Sequence, residues 1–257
     1  MVRMASQGLK FAGAALDYHR GRPRWPEAVV EVATAGLARD DRVVDLGAGT
    51  GQLTQALVRR FIQVTAIEPL VELRQLLHAE LPDVDLREGV AESLPLDDGS
   101  AEAIFVAEAF HWFDGQRALA EASRVLTEGG LLVLLWDVPV GPWEPDIGDD
   151  VRHLVRAAIR SGGEPGEARY LRGEWRRAFE RSPFGPLEEQ QIEYVFESSQ
   201  DGLIAYMIST SSIAGLPETE RQALRDELRQ RLAHDIYRQR LRVDIYRTTL
   251  RVGPSSN

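Results

Sequence analysis

The stretch that decides the fold is VVDLGAGTG at residues 43–51, followed by QLTQAL at residues 52–57. Residues 42–46 are short, apolar and rich in valine, which predicts a buried strand. Three glycines follow at once, and Leu53, Ala56 and Leu57 then recur at helical spacing. The stretch therefore predicts a strand, a tight turn and a helix, in that order.

This predicted turn is suited to binding a ligand. Glycine has no Cβ, so the backbone can adopt positive φ and a ligand can approach it closely. The following helix directs its N–H groups and the positive end of its dipole toward the same place, where a ligand carboxylate or phosphate would be stabilised. Asp45, at the end of the strand, could pair with a ligand ammonium group.

The spacing of the glycines separates two kinds of cofactor site. A dinucleotide site has the pattern Gly-x-Gly-x-x-Gly, which would require glycine at position 52, where this chain has Gln52. The observed Asp-x-Gly-x-Gly-x-Gly pattern resembles motif I of the class I S-adenosylmethionine-dependent methyltransferases, whose loop wraps the methionine moiety of the cofactor. The resemblance implies that S-adenosyl-L-methionine is the cofactor and that these residues bind it: Asp45, Gly47, Ala48, Gly49 and Gly51.

A second acidic residue follows at the distance that a ribose site requires. Residues 63–67 read as a strand, and Glu68 lies about 20 residues beyond the glycines, where a carboxylate commonly binds ribose hydroxyls. We include Glu68 and Pro69 among the cofactor-binding residues. The alternative is a solvated acid at the end of a strand.

A further strand, residues 103–107, runs directly into EAFHWFD at residues 108–114. Ligands of doubly wound sheets bind beyond the carboxyl ends of the strands, so Ala107 and the residues after it should face the reaction site. The run resembles the Ala-Phe-His-Trp-Phe signature of domain 11 type methyltransferases similar to trans-aconitate methyltransferase. His111 is suited to act as a general base. The alternative is that it orders the loop by hydrogen bonding or packs beside the adenosine.

Two other segments resemble the same group of enzymes. Tyr18 and Arg22 belong to a Tyr-x-x-x-Arg-Pro-x-aromatic-Pro pattern, which in that group closes over the cofactor near its carboxylate. The alternative is a surface turn. Ala91 and Glu92 lie in a run similar to the Gly-x-Ala-Glu-x-Leu-Pro segment that contacts adenine, although x is Val90 here, which has no side-chain hydrogen bond to offer.

Strands and helices alternate from residue 42 onward, which predicts an α/β fold with a doubly wound, mostly parallel, Rossmann-like sheet. We expect one domain over residues 1–257, with a cofactor-binding core at 27–137. A helical insertion at 138–187 is the expected substrate lid, and antiparallel strands with helices at 188–252 complete the sheet. Gly129 and Gly130 are expected to end a helix, and the prolines after Asp137 predict a loop.

The composition limits the functions open to the chain. A formal net charge of −10 argues against sequence-independent nucleic-acid binding, and no apolar run is long enough to span a membrane. The chain has no cysteine, and its five histidines lack ligand spacing, so we expect no metal. Residues 1–10 carry no apolar signal core, and a cytoplasmic location is expected. The oligomeric state is not predicted.

The sequence thus predicts an S-adenosylmethionine-dependent methyltransferase that acts on a small molecule by direct displacement. The resemblance to trans-aconitate methyltransferase favours a carboxylate oxygen as the acceptor, which is ionised at pH 7 and needs no base. One alternative is a non-catalytic cofactor- or partner-binding protein on the same fold. A nicotinamide-dependent oxidoreductase is disfavoured because position 52 lacks glycine and Lys10 is the only lysine.

Overall fold

Seven strands form one mixed sheet in the computed structural model, which describes residues 14–251. The spatial order is β3-β2-β1-β4-β5-β7-β6, parallel from β3 to β5, with β7 and β6 forming the antiparallel C-terminal part. The strands are β1 (Arg42–Leu46), β2 (Gln63–Ile67), β3 (Asp85–Arg87), β4 (Ala101–Ala107), β5 (Leu126–Glu144), β6 (Glu188–Ser199) and β7 (Ile236–Thr249).

Helices connect the parallel strands, as the alternating pattern predicts. The described α-helices are α1 (Ala15–Gly21), α2 (Glu27–Ala33), α3 (Thr54–Arg60), α4 (Val71–Glu80), α5 (Gly115–Val125), α6 (Asp149–Gly162), α7 (Gly166–Leu171), α8 (Gln200–Ile208), α9 (Ser211–Ala214) and α10 (Glu218–Arg231). Short 3-10 helices cover Phe110–Trp112 and Glu174–Arg181.

The strand order places a crevice at the end of β1. The chain proceeds from β1 to β2 and β3 on one side and then returns to β4 on the other, so the direction of winding reverses between β1 and β4. Loops that leave two such strands diverge and leave room for a ligand. The glycine turn after β1 and the residues after β4 both lie at this edge of the sheet.

The chain divides into two compact units. One comprises residues 24–137, 173–192 and 243–257, and contains the glycine turn. The other comprises residues 1–23, 138–172 and 193–242, and contains α1 and most of the C-terminal helices. The proposed role of residues 138–187 as a substrate lid stays a prediction.

Strand β5 differs from what the sequence predicts. Helix α5 ends at Val125 and the strand begins at once, so Gly129 and Gly130 lie within β5 rather than after a helix. The register against β4 shifts between Ala101 and Ala103, and Gly129 adopts φ +74°, which makes this part of the strand irregular.

The predicted loop after Asp137 is also wrong, because β5 continues to Glu144. The paired part of β4 ends at Ala107, opposite Leu135. Beyond that level β5 has a neighbouring strand on one side only, where proline can occur without removing a hydrogen bond from the ladder. Glycine and proline in the sequence therefore indicated a break that the strand does not have.

No helix within residues 14–251 combines the length and the apolar character needed to cross a bilayer.

Candidate active site

The glycine turn has the conformation that its sequence predicts. Gly47, Gly49 and Gly51 adopt φ values of +75°, +58° and +88°, a region that side chains with a Cβ disfavour. At Gly47 a second reason applies, since an added Cβ would lie 2.8 Å from the Cβ of Ala109. Glycine at this position therefore lets the turn pack against the segment that follows β4.

The N–H groups of this turn are largely used within the chain. Those of Gly47 and Ala48 both donate to the carbonyl oxygen of Ile67, at 2.8 and 3.1 Å. Gly51 donates to the carbonyl oxygen of Ala48, and Gly49 donates to the carboxylate of Glu68 at 2.9 Å. These four N–H groups are therefore satisfied within the chain, and the expectation that the first N–H groups of the following helix bind an anion stays a prediction. The features that remain for a ligand are the close approach to the glycine backbone and the carboxylates of Asp45 and Glu68 beside the turn.

Asp45 lies below the turn as a buried carboxylate with one oxygen unsatisfied. Its exposed fraction is 1%, and Oδ2 accepts a hydrogen bond from the Thr54 hydroxyl at 2.6 Å. Oδ1 is buried and has no partner among the described residues. Burial raises the pKa of Asp45 to about 6, partly offset by the bond from Thr54. A cation at Oδ1 would satisfy both the oxygen and the charge.

Glu68 follows β2 and is almost as deeply buried. Its Oε2 accepts from the N–H of Gly49, and its Oε1 accepts from the N–H of Leu70 at 3.0 Å. Burial raises the pKa of Glu68 to about 7, and the negative charge of Asp45 adds to the rise. Each oxygen keeps a further lone pair, so the carboxylate can still accept hydrogen bonds from ligand hydroxyls.

Thr50 completes this group of polar atoms. The residue has no exposed surface, and its hydroxyl oxygen has no partner among residues 14–251. Buried polar atoms are nearly always hydrogen-bonded, so the atoms of Asp45, just before the turn, and of Thr50, within it, are suited to bind a polar ligand. An ammonium-bearing ligand with hydroxyl groups fits these residues.

The other predicted cofactor residues have more varied surroundings. Ala91 is buried, and Oε1 of Glu92 accepts from the N–H of Asp114 at 2.8 Å. The carbonyl oxygen of Pro69 accepts from the Arg74 guanidinium at 2.7 Å. Ala107 is the last residue of β4. No ligand contact tests these four positions, and their roles stay predictions.

Tyr18 and Arg22 belong to the unit that does not contain the glycine turn. The Arg22 guanidinium donates to the carbonyl oxygen of Ser209 at 3.2 Å and lies over the rings of Tyr18 and Tyr206, at 5.3 and 5.4 Å from their centroids. It also attracts the carboxylate of Glu167. These contacts fix the arginine, and its role toward the cofactor stays a prediction.

His111 lies at the carboxyl edge of the sheet, in the 3-10 helix Phe110–Trp112. Its Nδ1 accepts a hydrogen bond from the indole Nε1–H of Trp136, at 2.9 Å. Trp136 is the first residue of β5 beyond the paired Leu135 and is 1% exposed. The loop-ordering hydrogen bond that was the alternative for His111 is therefore present, and the catalytic assignment stays a prediction.

An aromatic cluster continues from Trp136. Its ring centroid lies 4.7 Å from that of Trp175 and 5.6 Å from that of Tyr246. The Arg176 guanidinium covers the rings of Trp175 and Tyr246, at 4.8 and 4.6 Å, and pairs with Glu189. Arg176 is thus held by the chain, which agrees with a structural role.

Sequence reasoning missed three residues of the site. Thr54 donates a side-chain hydrogen bond to Asp45, Thr50 has an unsatisfied hydroxyl, and Trp136 fixes the ring of His111. The sequence contains an indication of the role of each of these three residues. Both threonines lie among the glycines and the first helical turn, and a tryptophan in an all-apolar strand must find an acceptor for its N–H.

Metal ligands are not gathered in the described part of the chain. Within residues 14–251 no three His, Asp or Glu side chains lie close enough together to hold an ion.

Comparison with known proteins agrees with this geometry. Residues 44–134 match the family model described as a methyltransferase domain. The chain is 36% identical over 228 residues to an uncharacterized methyltransferase of Mycobacterium tuberculosis (strain ATCC 25618 / H37Rv), covering 88% of this chain and 86% of the relative.

Two further matches differ in what they show. Over 135 residues the chain is 36% identical to malonyl-[acyl-carrier protein] O-methyltransferase of Methylococcus capsulatus (strain ATCC 33009 / NCIMB 11132 / Bath), covering 49% of each protein. The solved structure of a putative type II methyltransferase from Anaeromyxobacter dehalogenans covers 91% of this chain and 99% of its own, with 23% identity and a TM-score of 0.62. The latter match shows the fold.

Proposed function

The chain belongs to the class I S-adenosylmethionine-dependent methyltransferases, and from that premise we propose that it methylates a carboxylate oxygen of a small molecule by direct displacement. S-adenosylmethionine, when bound, supplies an electrophilic methyl group on a sulfonium. The observation that supports cofactor binding at the glycine turn is the pair of unsatisfied buried atoms there, Oδ1 of Asp45 and the hydroxyl of Thr50.

Asp45 and Glu68 would bind different groups of the cofactor. Asp45, held by Thr54, would pair with the ammonium group, because its unsatisfied oxygen is buried and its charge lacks a partner. Glu68 would accept hydrogen bonds from ribose hydroxyls while it remains anchored to the N–H groups of Gly49 and Leu70. The turn itself would exclude water and set the position of the bound molecule.

Two observations favour a carboxylate acceptor. A carboxylate is ionised at neutral pH, so the reaction needs no base, and His111 does not offer its Nδ1 as one. The relative from Methylococcus capsulatus is named for O-methylation of a malonyl group, which ends in a carboxylate.

A methyl-transfer assay with a matched set of acceptors tests the proposal. The full chain is incubated with methyl-labelled S-adenosylmethionine and either trans-aconitate, a malonyl thioester, a phenol or a primary amine. Label in a base-labile ester is expected with an acid. Transfer only to the phenol or the amine would refute the acceptor. Binding of S-adenosylmethionine with no transfer to any class would favour the non-catalytic alternative.

A further inference from the structure

We propose that Trp136 holds His111 in the tautomer that carries its proton on Nε2, so that His111 is a hydrogen-bond donor toward an anionic acceptor and not a general base. The inference rests on the proposed function for its acceptor, but its test reads the tautomer directly. Trp136 is then a positioning residue, because it acts through the ring of His111.

The argument begins with the indole N–H of Trp136. A tryptophan N–H is only a donor, and this one belongs to a side chain with 1% of its surface exposed, so it requires an acceptor within the protein. The acceptor is Nδ1 of His111, at 2.9 Å. A nitrogen that accepts this bond carries no proton, and a neutral imidazole then carries its proton on Nε2.

Both partners of this bond are fixed by their backbones. Trp136 directly follows Leu135, which pairs with Ala107, and the next residue donates its N–H to the carboxylate of Glu108. His111 lies in a 3-10 turn closed by the bond from the Trp112 N–H to the Ala109 carbonyl oxygen, at 2.9 Å. The strand end and the turn therefore hold the two rings at bonding distance.

Packing of other aromatic rings around the indole restricts its rotation. Trp175 and Tyr246 pack against the Trp136 ring, and Arg176 lies over both of them. Turning the indole away from His111 would require this stack to move. The donor thus keeps its direction whether or not an acceptor molecule is bound.

This arrangement decides what the imidazole can do. A general base takes a proton on a bare ring nitrogen, and here the bare nitrogen is Nδ1, which already faces an N–H. Proton uptake would break the Trp136 bond and leave a buried donor without an acceptor. The Nε2–H, by contrast, is a donor, and a carboxylate brought within hydrogen-bond distance of it would be bound without any change in the protonation of the ring. His111 therefore does not serve as the general base for an acceptor that must lose a proton.

The charged groups near Trp136 and His111 have partners within the chain. The carboxylate of Glu108 is bound by the Asp137 N–H, and the charge of Arg176 is balanced by Glu189. Asp137 lies next to Trp136 along β5. The proposed tautomer rests on the direction of the Trp136 bond and does not depend on the titration of these groups.

Nitrogen NMR of the full chain tests the proposal. The ligand-free protein is labelled with ¹⁵N-histidine and compared with His111→Gln to assign one of the five histidines. We expect His111 to show a bare Nδ1 and a protonated Nε2 as a single tautomer. A protonated Nδ1 in the wild-type protein would overturn the inference, and this result is independent of whether the cofactor binds.

A variant pair separates the bond from general effects of losing a tryptophan. Trp136→Phe removes the donor and should leave His111 as a mixture of tautomers. Trp143→Phe removes another buried indole, from the other unit, and should leave the His111 signals unchanged. An unchanged single tautomer in folded Trp136→Phe would also overturn the inference. If Trp136→Phe does not fold, the wild-type spectrum still decides.

Discussion

Removing the hydroxyl of Thr54 should weaken binding of the cofactor product in a way that depends on pH. Thr54 is buried and donates to Oδ2 of Asp45 at 2.6 Å, while Oδ1 has no partner in the described chain. Thr54→Val keeps the shape of the side chain and removes the donor. The ionised form of Asp45, which pairs with the ligand ammonium, then loses its one side-chain hydrogen bond.

The size of the effect follows from the pKa of Asp45, which is about 6. A hydrogen bond to a charged group contributes about 1.5–3 kcal/mol, so its loss should raise this pKa by roughly 1–2 units, to roughly 7–8. At pH 8 half or more of the variant would still be ionised, and its Kd would rise about 2-fold at most. At pH 6 the wild type is half ionised, and the variant Kd should be roughly 5- to 50-fold higher.

Calorimetric titration with S-adenosylhomocysteine at pH 6, 7 and 8 measures this ratio. Because each ratio compares two proteins at one pH, titration of the ligand itself cancels. Thr34→Val is the matched control, since Thr34 is also buried and donates at 2.7 Å to the Val30 carbonyl oxygen, away from the site. A ratio for Thr54→Val that stays near one at pH 6 would refute the assigned role of Asp45.

Three further predictions concern stability and catalysis. Burial raises the pKa values of Asp45 and Glu68. Their contribution to the free energy of unfolding is therefore fully present below about pH 4 and is lost as the pH rises to about 7. Urea unfolding of the ligand-free chain should show a fall in the free energy of unfolding on the order of 4 kcal/mol between pH 5 and 8. Glu68→Gln should remove the part of this fall that lies between about pH 5 and 7, and an unaltered profile would contradict the assignment. Gly47→Ala should lower the free energy of unfolding by about 1–3 kcal/mol more than Gly99→Ala. Both glycines have positive φ, but only at Gly47 would the added Cβ clash with Ala109. Equal losses would show that this clash is unimportant. With a carboxylate acceptor, His111→Ala should lower kcat/KM by roughly 10- to 150-fold. His111→Gln keeps an N–H donor and should lower kcat/KM much less. Equal losses in the two variants would indicate that His111 acts as a base.

The fold was largely readable because its signals are local. A valine-rich strand, three glycines and a helical repeat follow one another from residue 42, and β1 and β2 begin where these patterns predict. The parallel sheet follows from the alternation that continues through β4. Strand β5 was predicted wrongly because proline ends a strand only where its missing N–H is needed for pairing, and glycine is also tolerated where a strand is irregular. Neither condition can be read from the sequence of the strand itself.

The site was less readable because its chemistry depends on contacts between distant residues. Asp45 and Glu68 were identified from their spacing, but their burial and raised pKa values come from the packing of the sheet. The bond from Trp136 to His111 joins residues that are 25 positions apart and lie beside each other only because β4 and β5 are neighbours. The carbonyl oxygen of Ile67 and the carboxylate of Glu68 accept hydrogen bonds from three N–H groups of the turn, and these contacts across β1 and β2 cannot be read from the local sequence.

The most direct test of the account is calorimetric titration of the full chain with S-adenosylmethionine, with NADH titrated in parallel. We predict saturable binding of S-adenosylmethionine, no binding of NADH, and a large loss of affinity in a folded Asp45→Ala variant. Absence of S-adenosylmethionine binding, or binding that the loss of Asp45 leaves unchanged, would contradict the assignment of the glycine turn as the cofactor site.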